Sequence, residues 1–362
     1  MAKYKVGIVG CGGISRVHAQ SYQMEKSTEI ACCSDINEEH AKKFADEFGI
    51  DEKSCYLDHK LMLEKEKPDI ISVCTWHGSH ASVCIDACNM GVKGVICEKP
   101  IATRLGDADA AIEAAEKNGT KFVIGHQGRF NSANTKAREL VKAGAIGLPT
   151  ALFRNSGDGL LNNGTHAIDY ARYILGDPEA EWVIGQVSRH TDKWERRVRI
   201  EDLCMGLVCF KGGTRFVIES DLPQPQPSGS DLYGTEGTIR IVNDKVLIMN
   251  GDQAGWREVK FDEPIAKVEA IMKEGWSAPA GISPGQLSEL IAWIEGDIAE
   301  HRGAARHARA DLEIMMAIYE SLRIHDVVHL PLQTKESPLD LMIDGGALPV
   351  TKPGKYDIRV PF

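Results

Sequence analysis

The sequence predicts an α/β fold: an N-terminal doubly wound parallel sheet, then an α+β domain with a large, mostly antiparallel open sheet. Three observations predict it. A glycine-rich break between an apolar run and a helical pattern opens the chain. Apolar runs then alternate with helical patterns through the first third, as βαβ units do. Beyond that, strand patterns follow one another and are joined by hairpin signals. The expected domains are residues 1–126, 127–330 and a C-terminal tail, 331–362, packed on the second domain or on a neighbouring subunit.

The opening stretch is Lys5-Val6-Gly7-Ile8-Val9-Gly10-Cys11-Gly12-Gly13-Ile14-Ser15-Arg16-Val17-His18. Its order of strand, tight turn and helix start is the dinucleotide fingerprint of a Rossmann domain. Gly10 makes the turn, and Gly12 lets the backbone approach a pyrophosphate. The amides at Gly13 and Ile14, at the positive end of the helix, are placed to hold the phosphates. Ser15 takes the third position and is small enough for close helix–strand packing. Ile30 to Asp35 reads as a second strand ending in a carboxylate. Asp35 would accept both ribose hydroxyls and repel a 2′-phosphate, which favours NAD over NADP.

At 362 residues the chain is long enough for two domains. Its net charge of −10 and the lack of a basic stripe argue against a nucleic-acid partner. No apolar run approaches a membrane span, and the N-terminus reads as a strand rather than a signal peptide. The ten cysteines fall mostly in apolar segments and read as buried free thiols of a cytoplasmic protein. Cys84 and Cys88 lie one helical turn apart without further ligands, so no metal is expected.

In chain order, helices are expected at Glu38–Phe48, His59–Lys65, Ser79–Met90 and Asp107–Asn118, several closed by glycine. Strands are expected at Ser54–Tyr56, Asp69–Thr75, Gly94–Cys97 and Lys121–Gly125. Ligands on such a sheet bind beyond the strands' carboxyl ends, in the loops after Val9, Thr75, Cys97 and Gly125. The second part begins with a helix at Asn134–Ala143, and another at Thr165–Leu175 interrupts its strands. Strands are expected at Thr150–Arg154, Trp182–Ser188, Leu203–Phe210, Thr214–Ser220, Thr238–Val242 and Lys245–Met249. Pro223-Gln224-Pro225-Gln226-Pro227 reads as an extended loop. Late helices are expected at Pro284–His301 and Ala308–Ile324.

Two stretches carry candidate chemistry. Cys97-Glu98-Lys99-Pro100 occupies one of the ligand loops, where the Lys99 ammonium can bind a substrate hydroxyl or act as a base. A cis bond before Pro100 would aim that lysine. Ser156 to Tyr170 is glycine-rich and then helical, with Asn162 and His166 spaced i, i+4. Histidine suits proton transfer near neutral pH. A helix-end His166 satisfied by backbone groups fits the same residues. Asp169 and Arg172 read as a solvated or inter-helix pair. Thr75, Trp76, His80, Glu98, Lys99 and Gln127 join the expected cofactor contacts. Trp76 has two placements, against the cofactor or packed beneath its loop. Arg129, Arg154, Asn155 and Asp158 are candidate sugar contacts beside Lys99, Asn162 and His166.

These segments occur together in order: the glycine turn, Glu98-Lys99-Pro100, Gly125 to Phe130, the run into His166, Tyr233-Gly234-Thr235-Glu236-Gly237, and the late helix around Leu312 to Ser321. The combination resembles the glucose–fructose oxidoreductase/inositol dehydrogenase (Gfo/Idh/MocA) family from Lys5 to about Ile324. The resemblance implies hydride transfer between NAD and a secondary alcohol or ketone of a sugar, cyclitol or glycoside, with C3 oxidation of a glycoside as one version. It implies Lys99 and His166 as catalytic residues, with Asn162 as the third candidate at the catalytic site, and a homo-oligomer, dimer or tetramer, formed through the outer sheet face. Two departures stand out. Asn162 replaces an aspartate the family often has, and Thr75-Trp76-His77 replaces Thr-Pro-Asn. A carboxylate restored by Asn162→Asp is expected to raise the pKa of His166. Two alternatives remain: an NAD-retaining glycosidase or sugar–sugar oxidoreductase, and a non-catalytic NAD-bound regulator.

Overall fold

The computed structural model describes residues 4–157, 159–220, 229–251, 253–261 and 284–360. It divides into two compact units. One takes residues 1–102, 106–127 and 265–309; the other takes 103–105, 128–264 and 310–362.

The first unit is built on β1 (Tyr4–Val9), α1 (Gly13–Met24), β2 (Thr28–Ser34), α2 (Glu38–Phe48), β3 (Cys55–Tyr56), α3 (His59–Glu66), β4 (Ile70–Val73), α4 (His80–Asn89), β5 (Gly94–Cys97), α5 (Leu105–Asn118) and β6 (Lys121–Ile124). Its six strands run in the order β3-β2-β1-β4-β5-β6, and every pair is parallel. Every residue of β4 and β5 is buried, which is why those strands read as near-continuous apolar runs. Strand order reverses between β1 and β4, so the loops after Val9 and Val73 flank the crevice where such sheets bind ligands. Helix α2 shows how local sequence sets its limits. Asn37 caps it by accepting the His40 amide, and Gly49 ends it at φ 71°.

The second unit holds α6 (Ser132–Lys142), β7 (Pro149–Ser156), α7 (Thr165–Ile174), β8 (Ala180–Ser188), β9 (Asp192–Glu195), β10 (Val198–Arg199), β11 (Leu203–Phe210), β12 (Arg215–Ser220), β13 (Gly229–Gly234), β14 (Gly237–Val242), β15 (Lys245–Asn250) and β16 (Gln253–Val259). The chain continues through α8 (Pro284–Glu295), α9 (Ala305–Ile324), β17 (Val328–His329), α10 (Pro338–Asp344) and β18 (Lys355–Asp357). Nine strands form one sheet, β16-β15-β14-β13-β7-β12-β11-β8-β17, in which only β7 and β12 pair in parallel. A second, small sheet runs in the order β10-β9-β18. The β14–β15 turn uses Asn243 and Asp244 at φ 49° and 57°, the handedness a two-residue hairpin needs.

Several expectations need correction. Helix α8, read as part of the second domain, packs into the first: Leu287, Leu290 and Ile291 share a core with Val6, Ile8, Ile70, Ile96 and Val123. It also stops at Glu295 rather than His301, because Gly296 turns the chain at φ 82°. Strands β9, β10, β13, β16, β17 and β18 had no clear signal, being short or rich in polar residues. Asp169 and Arg172 are buried rather than solvated. Asp169 meets Arg129 at 2.6 Å and Arg172 meets Asp311 at 2.8 Å, all four nearly fully buried. The Pro223–Pro227 loop lies outside the described residues. All ten cysteines are free thiols, nine of them buried and Cys55 half-buried. Among the described residues no helix is long and apolar enough to cross a membrane.

Candidate functional site

Gly10 stands at φ +89°, and a Cβ there would lie 2.8 Å from the backbone of Cys74 and Thr75. Only glycine lets the loop after β1 meet the loop after β4 this closely. A Cβ on Gly12 would touch nothing within 4 Å. Helix α1 begins beside it with no side-chain cap and no acidic residue in its first turn. This is an open cradle under the positive end of a helix, and it fits a pyrophosphate. Ser15 is buried, and its Oγ donates to Gly12 O at 2.6 Å. Asp35 Oδ2 accepts the Cys11 amide at 2.7 Å and Oδ1 accepts the Asn37 amide at 2.8 Å. The acid that the sequence placed near a ribose is therefore tied to the glycine loop itself. The residues present fit NAD.

Around Lys99 the structure adds a buried polar chain. Glu98 is buried, and its Oε1 lies 3.0 Å from His18 Nε2. His18 Nδ1 is 2.8 Å from Ser72 Oγ, which in turn meets the Tyr22 hydroxyl at 3.1 Å. Burial alone would push the Glu98 carboxyl up; the hydrogen bond and charge of His18, with Lys99 and His80 nearby, hold it below its ordinary value. His80 is buried between two carbonyls, Nδ1 at 2.7 Å from Pro100 O and Nε2 at 3.0 Å from Thr75 O. It thus ties the loop after β4 to the loop after β5. Its pKa is lowered, chiefly by burial. The peptide between Lys99 and Pro100 is cis. Thr75 Oγ1 accepts from Ser79 Oγ at 2.9 Å, while Trp76 is 46% exposed rather than tucked beneath its loop. Gln127 is half-buried at the start of a short 3-10 turn after β6.

In the second unit, residues Gly159–Gly164 form a π-helical turn that runs directly into α7. Such a turn widens the repeat, so Asn162 and His166 are not a plain i, i+4 pair. Asn162 is buried and donates through Nδ2 to Glu195 Oε1 at 2.6 Å. His166 is half-buried in the first turn of α7. A second buried carboxylate, Glu201, accepts the Leu160 amide at 2.6 Å and the Tyr319 hydroxyl at 2.7 Å. Burial raises its pKa. Arg154 and Asn155 are neighbours on β7 and so point to opposite faces. Arg154 lies over the Tyr170 ring at 3.8 Å, whereas Asn155 is exposed on the far face with Phe153. Arg129, expected at a sugar hydroxyl, is instead 1% exposed and held by Asp169 at 2.6 Å and Asp177 at 2.8 Å. Asp158 lies outside the described residues.

Sequence reasoning missed His18, Ser72, Glu195 and Glu201. His18 stands in the fingerprint helix, but its partner Glu98 is 80 residues away. Glu195 is 33 residues from Asn162, on a four-residue strand with no pattern to mark it.

Comparison with known proteins adds three kinds of finding. Residues 4–126 match the Gfo/Idh/MocA model for an oxidoreductase family with an NAD-binding Rossmann fold, and residues 134–240 match the Gfo/Idh/MocA C-terminal domain. A myo-inositol 2-dehydrogenase of Thermotoga maritima is 28% identical over 255 residues, covering 67% of this chain and 73% of its own. A D-apiose dehydrogenase of Paraburkholderia graminis is 27% identical over 369 residues, 96% of this chain and 95% of its own. The crystal structure of an aldose–aldose oxidoreductase from Caulobacter crescentus, complexed with glycerol, has a TM-score of 0.75 at 22% identity. That match covers 91% of this chain and 100% of the other, and speaks for the fold alone.

Proposed function

Because the chain belongs to the Gfo/Idh/MocA family of NAD-binding oxidoreductases, we propose that it moves a hydride between NAD and a secondary alcohol, or its ketone, of a sugar, cyclitol or glycoside. The dehydrogenases of inositol and apiose among its relatives support that substrate class. The observation that carries the reading is the setting of Lys99. It follows a buried Glu98 held by His18, on a loop that His80 ties to the strand-order switch point.

NAD supplies the hydride acceptor. In this reading His166 takes the hydroxyl proton while Lys99 binds and polarises the same oxygen. Asn162 and Arg154 hold further hydroxyls. The glycine loop from Gly10 to Ile14 holds the pyrophosphate, and Asp35 the adenosine ribose. Glycoside oxidation at C3 is the finer version. The direct test is absorbance at the reduced-nicotinamide band while myo-inositol, D-apiose, D-glucose and methyl glucosides are added singly with NAD. Reduction with at least one supports the reading. Silence across the panel in both directions would leave the regulator alternative. Turnover without added NAD would favour the NAD-retaining version.

Asp35→Ser tests the cofactor preference. Removing the carboxylate removes the repulsion of a 2′-phosphate, and the NADP:NAD ratio of kcat/KM should rise at least about tenfold, equivalent to ~1.4 kcal/mol. An unchanged ratio would detach Asp35 from the ribose.

We also propose a homo-oligomer formed through the nine-stranded sheet, in the cytoplasm. Strand register puts Phe153, Ile184, Met205, Tyr233 and Met249 on one face, where each is 39–48% exposed. Apolar side chains at this density on one face suit a second copy of the chain. Phe153→Glu with Met205→Glu should yield monomers by light scattering. An unaltered mass would place the contact elsewhere.

A further inference from the structure

Glu195 ends β9 with 1% of its surface exposed, and three donors converge on one of its oxygens. Oε1 accepts from Asn162 Nδ2 at 2.6 Å, Arg359 Nε at 2.9 Å and Arg196 Nη1 at 3.4 Å. The other oxygen, Oε2, is buried with no hydrogen-bond donor among the described residues. A Cβ on Gly159 would stand 3.2 Å from it. The carboxylate therefore lies directly against the turn that carries Asn162 and runs into His166.

The C-terminal tail reaches this carboxylate by a defined route. Strand β18 pairs in parallel with β9, setting Tyr356 against Lys193 and Asp357 against Trp194. Ile358 then donates its amide to Trp194 O at 2.9 Å. The Asp357 carboxylate accepts the amides of Arg196 and Arg197 at 3.0 and 2.7 Å. Those two residues make the β9–β10 turn at φ 47° and 66°, a conformation that non-glycine residues hold only with support. Arg359 follows two positions later.

A carboxylate only accepts hydrogen bonds, so it fixes the Asn162 amide with Nδ2 toward it and Oδ1 turned away. A buried ionised carboxylate also needs a cation. Arg359 provides one from a side chain that is 42% exposed. We infer that Glu195 and Arg359 are a positioning pair for the Asn162–His166 turn, through which the C-terminal tail sets the alignment of the substrate end of the reaction. This rests on the roles proposed above for Asn162 and His166. It also explains the amide at position 162. An aspartate there would place two buried carboxylates about as close as the present 2.6 Å contact, and one of them would have to keep a proton. The negative charge that the sequence lacks at 162 is present one hydrogen bond away.

The test uses the full chain and four variants: Arg359→Ala, Arg359→Lys, Asn162→Asp, and Asn162→Asp combined with Glu195→Gln. Each is assayed for kcat, KM and pH profile with whichever of myo-inositol, D-apiose, D-glucose and the methyl glucosides is turned over. NADH binding by fluorescence and hydrogen exchange across residues 159–166 are measured alongside. Arg359→Ala should lower kcat/KM by about tenfold to 10²-fold, mainly through KM, with NADH binding unchanged and exchange in 159–166 faster. Arg359→Lys should recover most of the loss. Asn162→Asp should lose activity and move its pH profile upward, and the added Glu195→Gln should restore both by reversing the amide–carboxylate pair.

Wild-type kinetics and exchange in Arg359→Ala would overturn the inference, as would a double variant no better than Asn162→Asp alone. Absence of turnover on every sugar by the wild-type chain is a different result. It defeats the proposed reaction, while exchange in Arg359→Ala still decides whether the tail holds the turn.

Discussion

Alanine at Lys99 or at His166 should lower turnover by about 10²–10⁴-fold, the range in which a positioned acid or base contributes, and leave NAD binding close to wild type. The separation of the two effects follows from where the residues stand. In the proposed reading the dinucleotide is held by glycine-loop amides and by Asp35, which is fixed to the Cys11 amide at 2.7 Å. Neither depends on the lysine side chain. The loop that presents Lys99 is likewise anchored by its neighbours, through His18 on Glu98 and His80 on Pro100 O. Truncating Lys99 at Cβ therefore removes the ammonium without releasing the loop. His166 opens α7 as a half-buried side chain among mostly buried neighbours, so its truncation removes little packing. Single-turnover rates and NADH fluorescence titrations on both variants are the measurement. Turnover within tenfold of wild type for both would take them out of the mechanism.

Arg129→Ala should cost about 3–5 kcal/mol of folding stability, because it strands buried carboxylates rather than removing a surface charge. Asp169 is 3% exposed and Asp177 14% exposed at the side chain, and Arg129 bridges them at 2.6 and 2.8 Å. Its guanidinium also stacks 5.3 Å from the Tyr173 ring centre. Arg138 meets the other Asp177 oxygen at 2.9 Å, so Asp177 keeps one cation. Denaturant unfolding should show a lower midpoint at unchanged slope. If Arg129 contacted a sugar instead, kcat/KM would fall and the unfolding midpoint would stay. The two outcomes are read from the same preparation.

The contrast between those residues shows what the sequence made legible. The first sheet could be read because its signals are local. Gly10 and Gly12 mark the turn, Asn37 and Gly49 bracket α2, and the covered strands β4 and β5 are apolar but for Ser72. Lys99 stood out as a candidate because a strand end on such a sheet is where ligands bind. The partners of the candidate site were hidden for the opposite reason. Glu98 with His18, Asn162 with Glu195, and Glu195 with Arg359 are contacts across 80, 33 and 164 residues. Nothing in the spacing of a carboxylate tells whether it will be solvated or sealed. Arg129 misled for the same reason, since a polar residue on a loop and a buried ion-pair member look alike until its partners are known.

The placement of α8 bears on any attempt to cut this protein into pieces. A fragment ending near residue 127 contains every strand of the nucleotide-binding sheet, yet it lacks Leu287, Leu290 and Ile291, which come back to cover Val6, Ile8 and Ile70. Such a fragment would present that bare apolar surface to water and self-associate. An excised module that stays in solution must carry the returning helix as well, joined by a linker that replaces some 150 residues of intervening chain.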